Sequence, residues 1–324
     1  MIPRIFLLLA INFVFITTNN ATKIHIPIVY ACDDKYVMPT IVSMESAMRS
    51  KKDTSFYEFT ILVPGEFKCE EKFDIFRNKY NNECTISIKN SGDTYSDCYV
   101  GYWTIATYYR LDIPWILENK DKAIYLDGDT LVRGDLQEMW NIDLGNNLCG
   151  GVPDPGEHDR YYFLKIFNSK CDRWYINAGV LLINCKAWRE LPCIKDTIKE
   201  YCQNIEKNNF IYPDQDIINV ICGGKIHILP FKFMRFNLFA NIEGEYENCE
   251  YAKSFYTEEE FLEGRDNPVI VHYLGCEKPW LTNEGAPKKF YDEWHKLFDT
   301  VNVMYKFKES NLKSMGCCNC CCSR

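Results

Sequence analysis

The sequence predicts an α/β fold, a mainly parallel central sheet with helices on both faces. Strand-like and helix-like segments alternate along the first half of the chain. The composition, 47% hydrophobic and 25% charged over 324 residues, supplies a substantial core. No repeat or long linker interrupts the pattern.

The elements follow in order. KIHIPIVYA reads as a buried strand, and the apolar periodicity from Tyr36 to Met48 as a helix. FYEFTILV is strand-like, Cys69 to Tyr80 helix-like, and CTISIK strand-like again. Gly101 to Leu117 predicts a helix and KAIYL a strand. Sheets of this kind bind ligands beyond the carboxyl ends of their strands. That rule puts Asp33, Asp34, Asp127 and Asp129 at one rim.

The second half is less regular. YINAGVLLIN predicts a strand, followed by a helix from Ala187 to about Asn204. PDQDIINVICGG predicts a short helix with Asp214 near its N-cap and Gly223 at its stop. KIHIL and PVIVHYL are further strands. Phe290, Trp294, Leu297, Phe298, Val301 and Tyr305 recur at helical spacing. That stripe predicts a helix packed on the domain, with membrane-surface contact as the alternative. Trp188 and Trp280 are read as core.

The bulk numbers set limits. A formal charge of −8 offers no basic field for nucleic acid. Arg4 precedes an apolar stretch from Ile5 to Ile16 broken only by Asn12. A membrane span needs ~20 apolar residues, so residues 1–22 predict a signal peptide or, alternatively, a short N-terminal anchor. The expected location is the secretory pathway, in the ER or Golgi lumen, or outside the cell. Residues 23–285 then form one domain, 286–310 an amphipathic helix and 311–324 a cysteine-rich tail. Of 17 cysteines, five lie in the terminal GCCNCCCSR. The tail has the chemistry for metal binding, disulfide crosslinking or, if it faces the cytosol, S-acylation and membrane attachment. The other 17 − 5 = 12 are scattered without a C-x-x-C pair, which argues against a zinc site. Their pairing cannot be read from sequence.

The chemistry concentrates where KAIYL ends in Asp127-Gly128-Asp129. Two carboxylates so close repel each other unless a cation neutralises them. Hard oxygen ligands suit Mg²⁺ or Mn²⁺. An aspartyl-phosphate phosphatase would carry threonine where Leu131 stands, and a calcium loop would carry an oxygen ligand there. A plain surface turn stays open, because DGD is good turn chemistry. His272, at the end of a strand, offers a third ligand. Gly275 allows close backbone approach to a phosphate, and Lys278 offers it a positive charge.

The blocks IPIVYACDDKYV, TYYRLDIP, AIYLDGDTLVRGDL, YINAGVLLINCKAWRE, PDQDIINV and HYLGCEKPW run in order from about Ile24 to Trp280. This set resembles glycosyltransferase family 8, which includes glycogenin and bacterial lipopolysaccharide galactosyl- and glucosyltransferases. The resemblance implies a GT-A fold with a Rossmann-like sheet. It implies transfer of a hexose from a UDP-sugar, UDP-glucose or UDP-galactose, with retention, to a glycan, glycolipid or glycoprotein. By position, it implies that Asp127, Asp129 and His272 bind Mn²⁺, with Mg²⁺ as alternative, and that Gly275 and Lys278 hold the diphosphate. Ala31, Asp33 and Tyr36 would line the uridine pocket. Arg110, Asp154, Asn177 and Asp214 would contact the donor sugar, and Gln215 would sit beneath its anomeric carbon. Lys35 stands where members often carry asparagine. An amide is a poor nucleophile, so the Gln215 position favours attack on the same face as departure, with Asp154 or Asp214 as alternative nucleophiles. The competing functions are a UDP-sugar-binding protein without transfer and a phosphate-ester hydrolase.

Overall fold

The computed structural model describes residues 22–92, 94–98, 104–156, 174–237, 242–275, 278–281 and 289–307. The signal-like start, the cysteine tail and the first residues of the Gly101–Leu117 segment lie outside them.

The strands are β1 (Ile24–Ala31), β2 (Ser55–Val63), β3 (Cys84–Asn90), β4 (Ala123–Leu126), β5 (Thr130–Val132), β6 (Cys149–Pro153), β7 (Ile176–Ile183), β8 (Ile226–Ile228), β9 (Arg235–Phe236) and β10 (Ile270–His272). Seven of them form the central sheet in the order β3-β2-β1-β4-β7-β6-β8. β1 runs parallel to β2 and β4, β2 to β3, and β6 to β8. β1 suits a central strand because Ile26 to Tyr30 form an unbroken buried run. Its alternate residues serve two cores: Ile28 faces one apolar cluster and Val29 the other.

β7 is reversed, and this reversal positions the site. It pairs antiparallel with β4, Leu126 opposite Val180, so its start lies at the carboxyl end of β4. β6 is antiparallel to β7, Pro153 opposite Ile176, so Asp154 emerges at that same rim. A second sheet, β5-β10-β9, lies next in the chain to the acidic turn. There β10 runs antiparallel to β5 with His272 opposite Thr130.

The main helices are α1 (Val37–Ser50), α2 (Glu70–Lys79), α3 (Cys185–Arg189), α4 (Ile194–Gln203), α5 (Pro213–Cys222) and α6 (Tyr291–Tyr305). The aromatic stripe of α6 is buried as expected at Trp294, Leu297, Val301 and Tyr305. Trp188 and Trp280 are buried. Two expectations change. The helix expected from Ala187 to Asn204 is two helices, because Pro192 interrupts it and Cys193 takes a left-handed φ of 55°. The helix expected over Gly101–Leu117 is a 3₁₀ helix, Ile105–Asp112, followed by a short α-turn, Ile113–Ile116, with Pro114 at its start. Asp214 lies near the N-cap of α5, as expected: Tyr212 holds the cap position and Pro213 opens the helix. Gly223 ends α5 in the left-handed region, as expected.

All ten described cysteines are free thiols. Cys149 Sγ and Cys222 Sγ touch at 3.3 Å, too far for a bond of about 2.05 Å. Among the described residues no helix is long and apolar enough to cross a membrane.

Candidate active site

The turn after β4 is fixed on three sides. The Asp127 N–H donates to the Gly179 carbonyl at 2.7 Å, the Tyr273 N–H donates to the Asp129 carbonyl at 3.0 Å, and Thr130 Oγ1 donates back to the Asp127 carbonyl at 2.9 Å. Gly128 lies against α1: a Cβ there would fall 2.4 Å from Thr40 Oγ1. The glycine between the acids is therefore a packing requirement as well as a turn residue.

Across the two sheets, three side chains converge. One ligand atom each from Asp127, Asp129 and His272 lies within 4.8 Å of the others. His272 Nε2 stands 3.6 Å from Asp127 Oδ2 and 3.2 Å from Asp129 Oδ1. Asp129 is 7% exposed and His272 2%. Buried Asp129 Oδ1 makes no hydrogen bond among the described residues, so its nearness to His272 is not a completed bond. A buried, unsatisfied carboxylate oxygen facing a second carboxylate and an imidazole fits a divalent cation.

Each aspartate has its own organic cation. Arg110 Nη2 lies 2.9 Å from Asp127 Oδ1, and the Tyr125 hydroxyl donates to that oxygen at 2.7 Å. Arg110 also sits 4.5 Å over the Tyr125 ring. Its remaining donors reach Asp214 Oδ2 at 3.1 Å, the Thr107 carbonyl at 3.0 Å and the Ala178 carbonyl at 2.6 Å. Lys278 Nζ lies 2.5 Å from Asp129 Oδ2 and donates to the Tyr273 carbonyl. Burial raises the Asp127 carboxyl above its usual range; Arg110 opposes this and Asp129 reinforces it. Burial acts upward on Asp129 too, but Lys278 and His272 outweigh it and hold that carboxyl well below the ordinary range.

A second network adjoins the first through Ala178, whose N–H donates to Gln215 Oε1 at 2.9 Å. Gln215 Nε2 and Asn177 Nδ2 donate to Asp154 Oδ2 at 3.1 and 2.8 Å, and the Gly156 N–H donates to Asp154 Oδ1 at 2.9 Å. Gln215 also donates to the Tyr175 hydroxyl at 3.2 Å, which in turn donates to Asp216. Thr107 Oγ1 donates to Asp214 Oδ1 at 2.6 Å. Asp214, Gln215 and Asp216 occupy the first turn of α5, where the helix dipole favours the two carboxylates.

Asp127, Asp129, His272, Lys278, Arg110 and Asp214 thus form one chain of contacts, and Asp154, Asn177 and Gln215 another beside it. Ala31 ends β1, and Asp33 and Tyr36 follow it. Asp33 Oδ1 accepts from the Lys35 and Tyr36 N–H groups, each at 3.0 Å, and shapes the entry to α1. Burial, then Asp129 and Asp127, push the Tyr36 hydroxyl well above its usual range, which places it in the field of the acidic pair. Its ring meets Trp280 edge-on at 6.0 Å. Gly275 follows β10 with a φ of 66°, a conformation that favours glycine. Among the described residues, no hydrogen bond or ion pair joins Ala31, Asp33 or Gly275 directly to the aspartates.

Several contributors have weak sequence signals. Tyr125 could have been found, since it lies two residues before Asp127 and so shares its side of an extended chain. Asp216 lies within the DQD block. Thr107 opens the TYYRLDIP block and Tyr175 and Gly179 lie in YINAGVLLINCKAWRE, but residue type alone singles out none of them.

The family model of glycosyl transferase family 8 matches residues 27–284. General stress protein A of Bacillus subtilis is 29% identical over 193 residues, 59% of this chain and 64% of that protein. The chain therefore spans just under two thirds of that relative's length. Lipopolysaccharide 1,3-galactosyltransferase of Salmonella typhimurium is 23% identical over 279 residues, covering 84% of this chain and 77% of that one. The solved structure of the galactosyltransferase LgtC, in complex with donor and acceptor sugar analogs, superposes with a TM-score of 0.70 at 25% identity, covering 85% of this chain and 96% of that one. The mainly parallel central sheet is that of a GT-A glycosyltransferase fold. The chain belongs to glycosyl transferase family 8.

Proposed function

We propose that the protein is a Mn²⁺-dependent, retaining hexosyltransferase that moves glucose or galactose from a UDP-sugar to a glycan, glycolipid or glycoprotein acceptor. The observation that carries this reading is the convergence of Asp127, Asp129 and His272, with Lys278 and Arg110 alongside. The names of the lipopolysaccharide 1,3-galactosyltransferase relative and of the galactosyltransferase LgtC support transfer of a hexose. On this reading the apolar start of the chain routes it to the secretory pathway.

Asp127, Asp129 and His272 would hold the cation, which when bound stabilises negative charge on the departing diphosphate. Lys278 supports the same charge from the Asp129 side, with Gly275 allowing close backbone approach. Ala31, Asp33 and Tyr36 receive the uridine. Arg110 keeps Asp127 and Asp214 fixed, while Asp154, Asn177 and Asp214 orient the sugar hydroxyls and Gln215 faces the anomeric carbon. Retention then proceeds by same-face attack. Gln215 carries an amide, and both carboxylates beside it are engaged: Asp154 accepts from Asn177, Gln215 and Gly156, and Asp214 from Arg110 and Thr107. A carboxylate stabilised in this way is a weak nucleophile. The acceptor hydroxyl gives its proton to the departing phosphate.

The test is UDP release from UDP-glucose and UDP-galactose, with and without Mn²⁺, by the intact protein and by Asp129→Ala. Mn²⁺-dependent release that the substitution abolishes is expected. Release at full rate by Asp129→Ala in the presence of a chelator would contradict the reading.

A further inference from the structure

The two organic cations of the site are held very differently. Arg110 is locked: its guanidinium reaches Asp127, Asp214 and the carbonyls of Thr107 and Ala178, and is 7% exposed. It binds the Asp127 oxygen remote from His272, leaving Oδ2 to face the imidazole. Among the described residues Lys278 donates to Asp129 Oδ2 and the Tyr273 carbonyl alone, from the end of a flexible four-carbon stem. Its ammonium sits on a carboxylate that the cation site requires.

We propose that Lys278 is a displaceable counter-ion of Asp129, so that a divalent cation binds tightly to Asp127, Asp129 and His272 only when a diphosphate draws the lysine away. This rests on the reading of the site as a cation–diphosphate centre. A divalent ion about 2.1 Å from an Asp129 oxygen would stand within a few ångströms of the ammonium. Like charges at that range repel strongly in a buried site. Among the described residues Lys278 pairs with no other carboxylate, so cation alone must displace it from its one ion-pair partner there. A diphosphate supplies a replacement anion, and the flexible lysine stem lets the ammonium exchange carboxylate for phosphate. Linkage makes the effect reciprocal: each ligand strengthens the other.

A lysine that only grips phosphate would leave UDP-free cation binding unchanged when neutralised. A counter-ion predicts tighter binding. The experiment is a Mn²⁺ titration of the full chain followed by electron paramagnetic resonance, with and without UDP, on the wild type, Lys278→Gln and Lys278→Arg. UDP should tighten Mn²⁺ binding to the wild type by about tenfold or more, within the usual range of such couplings. Without UDP, Lys278→Gln should bind Mn²⁺ about tenfold more tightly than wild type, and Lys278→Arg should resemble wild type. Equal or weaker UDP-free binding by Lys278→Gln overturns the counter-ion role while leaving the cation site standing. Failure of the wild type to bind Mn²⁺ under either condition removes the cation reading, and this inference with it.

Discussion

A Cβ at residue 179 would lie 2.1 Å from Cε1 of His272, with both ring nitrogens at 2.7 Å. The imidazole occupies the space that glycine leaves on β7, and the Gly179 carbonyl holds the Asp127 N–H. One residue thus seats both the imidazole and the acidic turn. Gly179→Ala should displace the His272 ring and weaken Mn²⁺ binding by about 10–100-fold, as loss of a supporting contact to a metal ligand does. Overpacking should cost about 1–3 kcal/mol of stability. Mn²⁺ titration and urea denaturation check the two effects separately.

Gly128 tests the packing of the acidic turn on α1. The clash at Gly128 would be with Thr40 Oγ1, which itself donates to the Tyr36 carbonyl at 2.7 Å. Thr40 Cβ, by contrast, would stand 3.4 Å away, an ordinary contact. Gly128→Ala alone should therefore cost about 1–3 kcal/mol. In the Thr40→Ala background most of that cost should vanish, leaving mainly the lost hydroxyl bond, about 1 kcal/mol. A double-mutant cycle by urea denaturation measures the coupling. Additive effects would contradict the close approach.

Acid sensitivity has a local source on β2. Glu58 accepts from His25 Nδ1 at 2.8 Å and from Lys120. Burial acts upward on its carboxyl, but Lys120 and His25 outweigh it and lower the value. The folded chain then binds fewer protons here than the unfolded one. The stabilisation is complete above the unfolded carboxyl value of about 4.3 and disappears as pH falls through the lower folded value. The pair is partly exposed and screened, so Glu58→Gln should cost only about 0.5 kcal/mol at pH 7. The difference from wild type should shrink on acidification. Denaturation curves at pH 7, 5 and 3 test the sign.

The strand-helix alternation from Ile24 to Leu126 is legible because parallel strands are buried on both faces and read as apolar runs. The second sheet is not legible in the same way: β5, β9 and β10 have two or three residues each, too few for a period. The reversal of β7 has no local signature either, since strand direction is set by pairing across the chain. The acidic pair shows its chemistry locally, but its partners do not: Lys278 lies 149 residues from Asp129. His272 and Lys278 stand out by residue type and ordered motifs, and the fold supplies their contact with Asp129. Asp214 is similar: its place near a helix start is legible, but the contact of its side chain with Arg110 is not.

The central claim is that Asp127, Asp129 and His272 share one divalent cation. Anomalous scattering from crystals of the protein grown with Mn²⁺ and UDP, measured at the manganese edge, tests it most directly. One strong peak within bonding distance of all three side chains, with Lys278 turned toward the diphosphate, is the predicted result. UDP bound with no manganese peak at these residues, or a peak ligated elsewhere, would contradict it.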